Sequence, residues 1–139
     1  MSSKNWLEQG WYIEKQIRIL NKKKSRLYDD LTRITSSYMP NYGKGNSSND
    51  KSLKQAIYID YENEIRHKTE ELYNKKLEIE SVINQVQTRK YRDVLTMRYI
   101  LFMVWEDVAE ELGVSVRHIY RLHETALNIV SRYIKNDEG

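Results

Sequence analysis

The chain reads as all-α. Apolar residues recur at seven-residue spacing along two long stretches: Trp6, Ile13, Leu20, Leu27 and Ile34, then Tyr58, Ile65, Leu72, Ile79 and Val86. Helix breakers are sparse, with one Pro and five Gly in 139 residues. No stretch alternates apolar and polar side chains as a half-buried strand does. The predicted architecture is a long antiparallel, coiled-coil-like helical hairpin followed by a compact three-helix domain.

The first predicted helix covers 4–36. Ile17 and Leu31 add the companion position of its seam, and Gly10 and Lys24 interrupt it. The stretch SSYMPNYGKGNSSND, residues 36–50, holds the only Pro, two Gly and a cluster of Ser and Asn. It predicts a loop over 37–51, in which the chain reverses. A second helix is expected over 52–87, capped by Asp50 or Ser52. Tyr61 and Val82 extend its seam, while Lys68 and Lys75 break it. A helix of about 33 residues runs about 50 Å, too long for a small domain to bury. Residues 1–88 are therefore expected to form an oligomerisation region, with a dimer favoured, because seven-residue seams pair helices.

Residues 89–139 are expected to form the second domain, with helices at 89–101, 105–112 and 116–134. Its most informative stretch is WEDVAEELGVSVRHIYRLHETAL, from Trp105 to Leu127. Trp105, Val108, Ala109 and Leu112 share one helix face. Ile119, Leu122 and Ala126 share a face of the next helix. Gly113 can take positive φ and end the first of these helices. Ser115 can cap the second by accepting a backbone N–H. Two amphipathic helices around such a turn follow the packing logic of a helix-turn-helix, whose second helix enters the major groove. Arg117, His118, Tyr120 and Arg121 lie opposite the apolar stripe. Arg117 and Arg121 stand one turn apart, and arginine pairs with guanine edges or with phosphate. Ser115, Arg117, His118, Tyr120, Arg121, Arg132 and Lys135 are the expected DNA-binding residues.

The run Arg98-Tyr99, then Trp105 to Ser115, then Ile119-Tyr120-Arg121-Leu122 and Ala126-Leu127 resembles region four of bacterial sigma factors. The whole chain is similar to short prophage proteins grouped with phage late-transcription regulators of the ArpU-like kind. The wider similarity takes in the Thr35-Ser36-Ser37-Tyr38 run and the polar loop after it. The resemblance implies a sigma-region-four-like helix-turn-helix, a double-stranded DNA partner, contact with RNA polymerase, and a place in the cytoplasm of a bacterial host cell. One departure stands out. Where the family carries Gly and Ser or Thr before the first helix of the motif, this chain has Leu101-Phe102-Met103-Val104, without a capping side chain. These four apolar residues are expected to be ordinary core between helices.

Composition narrows the function classes. Cys is absent, which removes disulfides and cysteine-based zinc sites. No apolar run approaches the ~18 residues of a membrane span, and MSSKNWLEQGW lacks a signal-peptide core. The net charge is +3, and its distribution says more. Residues 1–51 carry 10 basic and 5 acidic side chains, residues 52–88 carry 5 and 7, and residues 89–139 carry 8 and 8. The basic run Lys22-Lys23-Lys24-Ser25-Arg26 reads as a solvated helix face. His118 and His123 are five apart and do not share a helix face, and no HExxH, phosphate loop or nucleophile elbow occurs. No enzyme activity, metal or cofactor is expected.

Three functions then compete. The first, favoured here, is a phage or prophage transcription regulator that binds double-stranded DNA. The second is a DNA-packaging protein like a small terminase subunit, which also joins such a motif to long helices. The third is a protein-interaction module without significant DNA affinity.

Overall fold

The computed structural model describes residues 1–36 and 46–134, with side chains described for 1–33 and 50–134. Among the described residues it is all-helical, with six α-helices, one short 3₁₀ turn and no strand. They are α1 (Ser3–Leu7), α2 (Gln9–Ser36), α3 (Asn46–Ile83), α4 (Arg89–Tyr99), α5 (Trp105–Leu112) and α6 (Val116–Val130), with the 3₁₀ turn at Ser131–Tyr133. No described helix is long and apolar enough to cross a membrane.

Several boundaries differ from expectation. The first helix does not run unbroken from 4 to 36, because Glu8 ends α1 and its N–H returns to the Lys4 carbonyl. The Gln9 side-chain amide donates to the Trp6 carbonyl at 2.9 Å, supplying a partner at the break. The second long helix begins at Asn46 rather than 52. Asp50 and Ser52 therefore lie inside it and cap nothing. Ser and Asn are only mediocre helix formers, a weak bias that local context overrides. Of the loop expected over 37–51, residues 37–45 lie outside the described residues. The same helix stops at Ile83 rather than 87, where Gln85 N–H turns back to the Val82 carbonyl and Val86 N–H to that of Ile83. At the far end α6 stops at Val130 and tightens into the 3₁₀ turn.

The chain divides into two compact units, Met1–Ile13 with Leu72–Gly139, and Glu14–Glu71. In the first, Leu7 of α1, Ile79, Val82 and Ile83 at the end of α3, and Val86 just beyond it share one core with Leu95, Tyr99, Ala126 and Val130. The helices after residue 88 thus share their core with α1 and the end of α3. A second cluster joins Val94 of α4, Val108 and Ala109 of α5, and Ile119 and Leu122 of α6. Gly10 is buried here, with the Phe102 ring, Ile79 and Leu72 around the place a Cβ would take.

In the second unit the seam is only half covered. Leu20 is its single buried apolar residue among the described side chains, and Ile17, Leu27, Leu31, Tyr58, Tyr61 and Ile65 are half-buried. Tyr28 and Tyr58 approach with ring centroids 6.2 Å apart. The Lys24 ammonium, a break in the heptad pattern, lies 5.6 Å from the Tyr58 centroid. Its charge is accommodated over a ring face while its stem covers apolar surface.

Candidate nucleic-acid interface

The candidate site is built on α5 and α6 and the turn between them. Gly113 takes φ 69° and ψ 33°, the left-handed region that glycine enters without a Cβ penalty. Its N–H donates to the Glu110 carbonyl at 3.1 Å, and Val114 N–H reaches the Ala109 carbonyl at 3.0 Å. This pair of bonds is a Schellman closure, and Val114 packs into the same cluster as Ala109, as that motif favours. Ser115 then accepts the His118 N–H at 3.1 Å and starts α6. At the other end of α5 no side chain caps the helix, since Val104 occupies that place. Glu106 and Asp107 in its first turn complement the helix dipole instead.

The turn before α5 departs from ordinary core. Leu101 and Val104 are exposed. Met103 packs on the second cluster, and the Phe102 ring lies next to Gly10. Phe102 takes a positive φ of 56°, rare for a residue with a side chain. The expectation that all four residues are core therefore holds for only two of them. A four-residue reversal cannot turn every side chain inward.

Ile119, Leu122, His123, Ala126 and Val130 form the buried face of α6. Arg117, His118, Tyr120 and Arg121 are all exposed on it. Arg117 and Arg121 sit at i and i+4, so their side chains leave the helix on nearly one side. No ion pair among the described residues takes a side chain of α6. Tyr120 is turned in part toward a neighbour, its ring meeting Trp105 edge-on at 5.7 Å. Arg132 is exposed in the 3₁₀ turn, beyond the end of α6. Lys135 lies outside the described residues. The outer face of α5 is acidic, with Glu106, Asp107, Glu110 and Glu111 all exposed.

Sequence reasoning assigned no place to His123, and the structure gives it a central one. It is buried, and its Nε2 lies 2.6 Å from the Tyr99 hydroxyl. Trp105 packs edge-on against the imidazole, with centroids 4.5 Å apart. Arg98 lies 4.6 Å above the Trp105 ring and donates to the Met103 carbonyl at 2.9 Å. Burial first, then the positive charges of Lys4 and Arg98, lowers the His123 pKa to about 4. Burial, then the Glu8 carboxylate, pushes the Tyr99 phenol up. Both groups are neutral at pH 7, the phenol donating and the imidazole accepting. The signal was present in the spacing: His123 falls between Leu122 and Ala126 on the apolar stripe, where a polar residue needs a buried partner. The partner, 24 positions earlier, could not be read from α6.

A family model described as "Protein of unknown function (DUF1492)" matches residues 42–131, and the chain belongs to that family. The matched region contains α3 to α6 whole and leaves α1 and α2 outside. No curated protein and no solved structure matches the chain.

Proposed function

We propose that this chain is a double-stranded DNA-binding transcription regulator of the phage or prophage type. In this reading α5, the Gly113 turn and α6 act as a sigma-region-four-like helix-turn-helix, with α6 as the recognition helix. One observation carries the reading. Arg117 and Arg121 stand exposed on one side of α6, without a carboxylate partner among the described residues, while its opposite side is fixed in the core. Two guanidiniums held one turn apart on a rigid helix suit guanine edges and flanking phosphates. His118 flanks them, Ser115 fixes the helix start, and Arg132 and Lys135 are assigned to phosphate. The long helices α2 and α3 serve as an antiparallel hairpin through which two copies associate, matching the two-fold symmetry of half-sites.

The test begins by selecting bound fragments from bacterial and phage genomic DNA with the purified protein. Affinity for a selected site is then measured by fluorescence anisotropy. Arg117→Ala is expected to cost about 1–3 kcal/mol on that site and to relax preference at one base. Arg132→Ala is expected to weaken all sequences alike and flatten the salt dependence. If the Arg117→Ala, Arg121→Ala double variant binds as the parent does, α6 is not the reader.

The acidic outer face of α5 favours a second reading. Four exposed carboxylates beside α6 oppose phosphate and suit a basic protein surface such as one on RNA polymerase. In that case the double arginine variant leaves DNA affinity untouched, and a Glu110→Lys, Glu111→Lys variant loses polymerase binding.

A further inference from the structure

A cleft of about 320 Å³ opens beside α6 in the first unit, at the low end of the range for small-molecule sites. Trp11, Trp105 and Tyr120 give it aromatic walls. Four charged side chains also line it, the cations Lys4 and Arg98 and the carboxylates Glu8 and Glu124, so the formal charge of the lining is zero. Arg98 is not a loose surface charge. It is held over Trp105 and by the Met103 carbonyl.

The Tyr99–His123 pair completes the lining. The phenol is the better donor and the imidazole the better acceptor, so Tyr99 donates its proton to Nε2 across 2.6 Å. A neutral imidazole that accepts at Nε2 carries its own proton at Nδ1. That N–H has no partner among the described residues, and it is not a buried orphan either, since none occurs there.

We propose that this cleft binds a small aromatic zwitterion of the α-amino acid class, its ring against the aromatic walls and its two charges answered by the cations and carboxylates of the lining. A lone anion meets Glu8 and Glu124, and a lone cation meets Lys4 and Arg98. Only a ligand carrying both signs finds a partner for each of its charges. This inference does not rest on DNA binding by α6, and the Arg117→Ala, Arg121→Ala variant is expected to keep it.

The test uses the full chain and three probes with one phenyl ring and different charge: L-phenylalanine, phenethylamine and 3-phenylpropionate. Binding is read from tryptophan emission and from saturation-transfer NMR of the probe. L-phenylalanine is expected to saturate, with affinity at least tenfold above either singly charged analogue. Lys4 and Glu124 are exposed, so their replacement spares the fold, which circular dichroism verifies. Lys4→Met is expected to narrow the advantage over phenethylamine, and Glu124→Gln the advantage over 3-phenylpropionate, each about threefold or more. Absence of saturable binding by all three probes overturns the proposal. So does equal binding of the three, or a parent-like preference in both variants.

Discussion

The two units of this molecule are both helical, yet they are built to different standards. Of the 17 buried apolar residues among the described side chains, 16 lie in Met1–Ile13 or Leu72–Gly139 and one, Leu20, lies in Glu14–Glu71. In the first unit segments of six helices meet, and Val94, Leu95, Val108 and Ile119 are completely enclosed. Two long helices can cover each seam residue on one side only. The heptad repeat is thus a weaker guarantee of a core than the irregular spacing of Val94, Leu95, Val108 and Ala109. What buries a side chain is the number of elements meeting over it, and a sequence repeat does not count them.

This contrast is open to direct attack. The largest effect is expected at the enclosed residues. Leu95→Ala should cost about 2–5 kcal/mol, through lost burial and the cavity left behind. Leu27→Ala, at a half-covered position of the seam, should cost much less. Urea denaturation of both variants decides it, and equal costs would mean that the second unit is covered by something such as another copy of the chain.

Acid comes next. The folded protein holds the His123 pKa near 4, below the usual 6.5, because charging the buried ring is unfavourable. The unfolded chain therefore takes up a proton first as pH falls. The contribution is complete above about pH 6.5 and is lost between there and pH 4, on the order of 3 kcal/mol in all. Melting curves from pH 7.5 to 4 should show this slope, and His123→Gln should flatten it. Native-state hydrogen exchange should place the loss in the first unit.

At Gly113 the strain is one of backbone alone. A Cβ there has nothing within 4 Å, but the φ of 69° remains unfavourable for other residues. Gly113→Ala should cost about 1–2 kcal/mol, and Gly113→Asn less, as Asn tolerates this region best. Gly10 has the opposite sign. It sits at normal φ in α2, and an added Cβ would lie 3.6–3.8 Å from its three nearest neighbours, in ordinary contact. Gly10→Ala should stabilise by about 0.4–1 kcal/mol, checked by the same denaturation assay. The smallest change belongs to the surface. Lys75→Ala removes an i, i+3 pair with Glu78 at 3.0 Å and should cost about 0.2–0.5 kcal/mol, fading with salt.

Local chemistry explains what could be read without coordinates. All-helical structure followed from apolar spacing and scarce breakers. Gly113 and Ser115 announced the turn between α5 and α6, because a left-handed cap and a hydroxyl N-cap act within a few residues of themselves. The bounds of α5 were legible for the same reason. The break at Glu8 and the early start of α3 at Asn46 were not, since weak propensities leave helix ends to their surroundings.

Long-range arrangement came from packing. Nothing in residues 79–86 marked them as core partners of α4 and α6, and nothing in α6 named Tyr99 as the partner of His123. The aromatic cleft draws Trp11, Arg98, Trp105 and Glu124 from four helices. Capping and periodicity are short-range forces and are written in neighbouring letters. The closing of a core and the pairing of buried polar groups depend on which surfaces meet, and that is settled only when the helices dock.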